Sequence, residues 1–292
     1  MNTPGTILRI PQITKRQWLR LLTHVFLIFG CFIMVFPLIW LVSSAFKPGN
    51  EIFQREFSLI GSRLTVQNFI DGWNINPTYY FGHFMMNTFL MVGLVVIGTI
   101  ASSFVTAYAF ARLQFKGRKP LFAFMLSTMM LPAQVTLIPK YLTFTAFGWI
   151  NSYLPFIVPA FCATQSFHIY LLVQFVRGIP KELDSAAKID GCDCFSIAFR
   201  IIAPLSKPAM FSVGIFTFMW TWDDYLNQLI YISSVDKFTV SLFLRSLMDI
   251  TSSVAWGPLL ACSLISLVPI IVMFFLAQPY FVQGIATSGL KG

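Results

Sequence analysis

Uncharged apolar runs alternate with short charged clusters along the chain, at 21–46, 72–111, 120–139, 141–176, 208–222 and 250–290. A helix that crosses a bilayer needs about 20 mostly apolar residues. The first, third and fifth runs each hold one such helix. The second and fourth are longer than one span, but they begin on polar residues that read as approaches: Asn74, Asn76 and Pro77 in one, Asn151 and Ser152 in the other. The last run ends in Gly284, Thr287, Ser288 and Gly289, so its helix is expected to stop near Pro279. The pattern predicts an all-α polytopic membrane protein with six transmembrane helices and no internal repeat. An even number of spans puts both termini on one side.

Composition agrees: 57% of residues are hydrophobic, 11% are charged, and the mean hydropathy is +0.74. A soluble domain carries roughly 25% charged residues, so this chain lacks the polar surface to cover a water-soluble fold. The net charge of +9 does not point to nucleic acid, because the basic residues sit between apolar runs, as membrane topology requires. With the N-terminus inside, the inner segments hold fourteen basic residues, Arg9, Lys15, Arg16, Arg20, Arg112, Lys116, Arg118, Lys119, Arg177, Lys181, Lys188, Arg200, Lys207 and Lys291. The outer segments hold six, Lys47, Arg55, Arg63, Lys140, Lys237 and Arg245. The positive-inside rule therefore places both termini in the cytoplasm. The first run is longer than the 7–15 apolar residues of a signal-peptide core, and no small-residue cleavage site follows it, so it reads as a retained anchor.

The expected organisation is a cytoplasmic segment 1–20, a membrane domain 21–280 and a cytoplasmic tail 281–292. No phosphate-binding G-x-x-x-x-G-K-[ST] loop is present, so driving energy must come from an ion gradient or another subunit. Five cysteines sit mostly in apolar stretches; Cys192 and Cys194 form a C-x-C with no second ligand pair nearby, and no metal site is expected. His24, His83 and His168 are isolated and read as packing or interfacial residues, and Trp73, Tyr79, Tyr80 and Phe81 as an interfacial belt.

The longest inner loop, 178–208, carries the most local information. Pro180 suits a helix start, and Glu182 and Asp184 complement the dipole of its first turn. Leu183, Ala186, Ala187 and Asp190 recur at helical spacing, and Gly191 supplies a stop. Asp193 is placed to cap a second, apolar helix limited by Pro204. A small-faced helix backed by an apolar one suits docking into another protein's groove; a hairpin lying on the membrane is the alternative.

This segment resembles the EAA loop of ABC importer permeases, roughly P-x-E-L-x-E-A-A-x-x-D-G-A followed by an apolar helix and P-L-x-x-P. The matching residues are Pro180, Glu182, Leu183, Ala186, Ala187, Asp190, Gly191, Pro204, Leu205 and Pro208. Ala107 to Arg112, Gly117 to Lys119, Leu131-Pro132, Ile138 to Tyr141, Trp220 to Asp224 and the tail Gly289 to Gly292 resemble the carbohydrate-uptake subfamily, its smaller, maltose-type and glycerol-phosphate-type permeases above all. The resemblance implies a non-enzymatic half-pore in the bacterial inner membrane. It also implies a second, different permease subunit, two ATP-binding subunits that carry ATP and Mg, and an extracytoplasmic solute-binding protein. Glu182, Leu183, Asp184, Ser185, Ala186, Ala187, Asp190, Gly191 and Asp193 would then dock the ATPase, with Gly289, Leu290, Lys291 and Gly292 as a second contact. Ser185 stands where the family has its namesake Glu, so that charge contact is weakened or shifted to Glu182 or Asp184.

Asp223 and Asp224 lie 15 and 16 residues beyond Pro208. Fifteen residues are roughly 22 Å of helix, short of the ~30 Å core of a bilayer. Intramembrane carboxylates need a cavity or a partner. With Trp220, Trp222, Tyr225 and Asn227 they form a candidate sugar pathway; exposure at the outer surface or pairing with a partner permease remain alternatives. Ser127, Thr128, Gln134 and Thr136 beside Pro132 and Pro139 fit either a broken helix near a pathway or interhelical bonding. The rival function is an ion-coupled secondary transporter using Asp223 and Asp224.

Overall fold

A computed structural model describes residues 15–53, 58–248 and 254–289, with no side-chain detail at 15, 17 and 279–289. Helices are the regular structure of the described residues. α1 (Lys15–Ala45) and the short α2 (Gln67–Trp73) precede α3 (Phe81–Arg112), α4 (Arg118–Thr128) and α5 (Ala133–Ala146). Then come α6 (Leu154–Phe161), α7 (Ser166–Gly178) and α8 (Glu182–Ile189). α9 (Cys194–Ser196), a π-helical turn Ile197–Ile202 and α10 (Ala203–Leu205) make one helical run. α11 (Lys207–Trp222), α12 (Tyr225–Tyr231), α13 (Val240–Met248) and α14 (Trp256–Gly289) complete the order.

Four stretches are each long and apolar enough to cross a membrane unaided: Trp18–Ala45, Phe81–Arg112, Leu154–Gly178 and Trp256–Gln278. The six expected spans are reached when two bent pairs count as one crossing each: α4 with α5, bent by 101°, and Cys194–Leu205 with α11, bent by 75°. The third run is therefore not the single helix its length predicts. Pro132 has no amide hydrogen to continue a helix and disfavours helical backbone at Leu131 before it. The Ser127 and Thr128 hydroxyls donate to the carbonyls of Phe124 and Met125, at 2.7 and 2.6 Å. Thr128 also meets the Ser166 hydroxyl of α7 at 2.9 Å, the interhelical bonding considered for these residues. The polar starts of the second and fourth runs are indeed approaches, since α3 opens at Phe81 and α6 at Leu154. The last helix does not stop near Pro279 but runs to Gly289: one proline costs a helix one backbone bond, and Tyr280 to Val282 continue it.

The bundle is organised around α3, which packs on α6, α7 and α11. Phe104, Ala107 and Ala111 join Ile169, Leu172 and Val176 of α7 and Val213 of α11 in one buried cluster. At the start of α3, Phe81 and Phe84 meet Phe243 of α13, with the Phe84 and Phe243 rings stacked 4.2 Å apart. Asn68 is buried and donates to the carbonyls of Ala45 and Lys47, at 2.9 and 2.7 Å, satisfying acceptors that the end of α1 leaves open. α1 buries Ser44 and Ala45 at its end and leaves the apolar residues before them exposed or half-buried.

Glycine permits the close approach of α3 to α6. A Cβ at Gly98 would lie 2.5–3.0 Å from three ring atoms of Phe161, and four residues on, Ser102 Oγ donates to the Ala160 carbonyl at 2.6 Å. Gly98→Leu should push α3 from α6 and cost about 1–3 kcal/mol, read as a lowered thermal midpoint of the purified protein. An unchanged midpoint would mean that this contact does not set the α3–α6 distance.

Candidate functional site

Two places gather the residues singled out by sequence, one in the 178–208 loop and one at the far end of α11. In the loop, Lys181 rather than Pro180 starts the first helix, its carbonyl accepting from the amides of Asp184 and Ser185 at 3.1 and 3.2 Å. Gly191, at φ +80°, turns the chain in the left-handed region that favours glycine. Asp193 caps the second helix as expected, accepting from the Ser196 amide at 2.9 Å. The Ser196 hydroxyl, then that amide, hold the Asp193 carboxyl below the usual carboxylate range. Pro204 is accommodated inside the helical run, one residue before its end at Leu205.

α8 has two unlike faces. Glu182, Leu183, Ser185, Ala186, Ile189 and Asp190 point outward, with Ile189 86% exposed. Ala187 is buried against Ile197, Ala198 and the ends of α3 and α7. Asp184 also turns inward, which departs from its assignment to the docking surface: its Oδ2 lies 3.3 Å from Arg112 Nε at the end of α3, the side chains being 16% and 3% exposed. Arg112 Nη2 also donates to the Ile179 carbonyl at 2.7 Å. Arg112 Nε and Nη1 and Asp184 Oδ1 have no hydrogen-bond partner among the described residues, so the contact is coulombic rather than an aligned hydrogen bond. Tyr108, one helical turn before Arg112, donates to the Cys194 carbonyl at 3.3 Å. α3 thus grips both helices of the loop. Ser185 takes no part, since its hydroxyl reaches back to the Lys181 carbonyl at 3.4 Å.

At the other end, a cavity of about 440 Å³ opens between α3, α5, α6 and the α11–α12 turn. Asp224 and Asn227, two of the sequence candidates, line it beside Lys140, Gln165, Thr221 and Tyr231. Asn227 Nδ2 donates to both Asp224 carboxylate oxygens at 2.9 Å, and its amide to Oδ1 at 3.2 Å. Four sequence candidates are placed elsewhere. Trp222 is buried against Phe89 and Phe218, and Trp220 packs on Phe167, His168 and Phe216. Asp223 is exposed, and neither it nor Tyr225 lines the cavity. Sequence reasoning missed Gln165, Thr221 and Tyr231. Gln165 sits at the break between α6 and α7, where irregular backbone at membrane depth is tolerated because it lines a cavity.

The far end is also locked by polar contacts. Asn151, at φ 58°, accepts on Oδ1 from the amides of Ser233 and Ser234 at 3.2 and 3.0 Å, and its carbonyl accepts from Lys237 Nζ at 2.9 Å. His83 Nε2 meets the Asp236 carbonyl at 2.6 Å, a packing role of the kind expected for it. Of the tail, Gly289 closes α14; Leu290, Lys291 and Gly292 lie outside the described residues.

Removing one partner of a buried ion pair strands the other charge, at a cost of about 3–5 kcal/mol, whereas replacing both by apolar groups is often neutral. Asp184→Ala should therefore lower the unfolding midpoint, and Arg112→Met with Asp184→Leu should recover most of the loss. Equal destabilisation by the double and single variants would show that the charge contact does not hold α8 in place.

A family model described as binding-protein-dependent transport system inner membrane component matches residues 100–285. The probable ABC transporter permease protein YurM of Bacillus subtilis is 34% identical over 99% of this chain and 95% of its own length. The arabinooligosaccharides transport system permease protein AraQ of Halalkalibacterium halodurans is 33% identical, covering 90% and 94%. The trehalose/maltose transport system permease protein MalG of Thermococcus litoralis is 29% identical, covering 93% and 98%. Among solved structures, a chain of a bacterial ABC transporter involved in the import of the acidic polysaccharide alginate shares the fold. Its TM-score is 0.83 at 18% identity, covering 93% of this chain and 100% of that one. The chain belongs to the binding-protein-dependent transport system inner membrane component family.

Proposed function

We propose that this chain is one half of the translocation pore of an ATP-driven importer for a sugar, an oligosaccharide or a sugar derivative. As an inner membrane component of a binding-protein-dependent transport system, it is a transporter subunit and not an enzyme. A second, different permease subunit would complete the pore. Two ATP-binding subunits, carrying ATP and Mg, would dock on the loop side, and an extracytoplasmic binding protein would deliver the sugar at the far end. Both termini would lie in the cytoplasm, following the excess of Lys and Arg on the loop side. Relatives named as permeases for arabinooligosaccharides and for trehalose and maltose support the substrate class.

The observation that carries this reading is the two-faced α8. Its outward face offers an apolar ridge, Leu183 and Ile189, flanked by Glu182 and Asp190, to a groove in another protein. Its inward face is fixed to α3 through Asp184 and Ala187. A load applied to α8 would therefore reach α3 and, through α3, the α6, α7 and α11 walls, which is what conversion between inward-facing and outward-facing pores requires. In the cavity, the carboxylate and amide of Asp224 and Asn227, with the Tyr231 ring, supply the hydrogen-bond partners and aromatic face that suit a sugar. The ion-coupled alternative loses its basis as a pair: Asp223 and Asp224 do not share a site.

Glu182→Lys combined with Ile189→Asp should abolish co-purification of the ATP-binding subunits and sugar uptake, while insertion of the chain is unchanged. Retained assembly and uptake would remove α8 as the coupling element. Gln165→Ala or Asn227→Ala should leave ATPase assembly intact and weaken uptake about 5- to 10-fold, for about 1 kcal/mol of lost hydrogen bonding. Normal uptake in both variants would take the cavity out of the sugar path.

A further inference from the structure

Beside the loop, at the junction of α3, α4 and α7, lies a second cavity of about 740 Å³ with a different chemistry. Arg118, Lys119 and Arg177 line it, Lys116 stands in the same turn, and no lining residue is acidic. Two of the three cations are held in position by the protein itself. The Arg177 guanidinium sits 5.0 Å over the Phe122 ring, and Arg118 Nη1 donates to the Leu113 carbonyl at 3.0 Å. Neither contact supplies a negative charge. The single salt bridge found among the described residues uses Arg112 and Asp184 instead. Phe115, Phe122 and Leu126 add apolar lining beside these cations, and on another face of α4 Leu121 and Phe124 are 53% and 69% exposed.

We infer that this cavity binds the headgroup of an anionic phospholipid, with the acyl chains lying along α4. Preorganised cations facing an uncompensated cavity call for an anion, and basic pockets between helices on the cytoplasmic side recruit anionic headgroups. The apolar lining selects a lipid over a free anion, because a soluble phosphate would leave Phe115 and Leu126 uncovered. Arg supplies the planar fork suited to a phosphodiester. The inner-leaflet position rests on the orientation proposed above; the lipid contact itself does not, since the site lies at the bundle edge in either orientation.

The test uses the assembled transporter purified from membranes, with native mass spectrometry counting bound phosphatidylglycerol and phosphatidylcholine after exchange into nanodiscs holding both. The wild type should retain phosphatidylglycerol preferentially. Arg118→Gln, Lys119→Gln and Arg177→Gln should each reduce that preference, by about fivefold per charge, while Arg63→Gln in the outer segment leaves it unchanged. An unchanged preference in the triple variant overturns the site. Where that variant does not assemble, the wild type decides alone: the preference should fall as salt is raised, and salt-independent retention overturns the proposal. If inorganic phosphate raises the thermal midpoint as much as short-chain phosphatidylglycerol does, the cavity is a free-anion site and the lipid assignment fails.

Discussion

Arg112 and Asp184 meet 3.3 Å apart where the most buried span ends and the loop begins. That contact makes a mechanical unit of two elements that pattern alone would leave separate. α3 holds the interior by packing on α6, α7 and α11, and α8 lies across its end. Without a fixed joint, α8 would be a surface helix of eight residues, too short to be stable alone. Its persistence depends on Asp184 and Ala187 seated against the bundle. The charges are oriented but not fully hydrogen-bonded, so the joint is attractive without being rigid in direction. Such a contact keeps its coulombic attraction when the angle between α3 and α8 changes.

Much of this was legible in the sequence. Apolar run lengths located the four helices long enough to cross unaided but not the 101° break in the third run or the end of the last, and the polar approaches at Asn74 and Asn151 were read correctly because unpaired backbone near a membrane needs polar neighbours. The loop was legible for local reasons: Gly191 at positive φ and Asp193 as a cap are properties of a few adjacent residues. What failed was tertiary. Asp184 looked like an outward-facing member of a docking helix, and only the position of Arg112, far away in sequence, turns it inward. Trp222 looked like a sugar platform, yet Phe89 and Phe218 bury it. Aromatic side chains carry the same one-dimensional signature whether they face a ligand or a core.

The two cavities show how one helical bundle creates unlike environments. At the far end, breaks at Met129 to Pro132 and between α6 and α7 free backbone and bring Gln165, Asp224 and Asn227 together. Acid and amide saturate one another there, and Lys140 faces them, so the site is polar but balanced. At the loop end, regular helices leave Arg118, Lys119 and Arg177 converging without a carboxylate. Irregular backbone gives the neutral, hydrogen-bonding cavity; helix ends give the charged one.

Apart from Ser44 and Ala45 at its end, α1 leaves its apolar stretch unburied and touches the bundle chiefly through α14, which follows it by more than two hundred residues. During biosynthesis the first hydrophobic segment therefore enters the bilayer long before its intramolecular neighbour exists. Lipid solvates it adequately in the interval, because association of helices inside a membrane gains nothing from leaving water. The order of manufacture is thus decoupled from the order of packing, and α1 stays available as a lipid-facing surface on which a neighbouring subunit can settle.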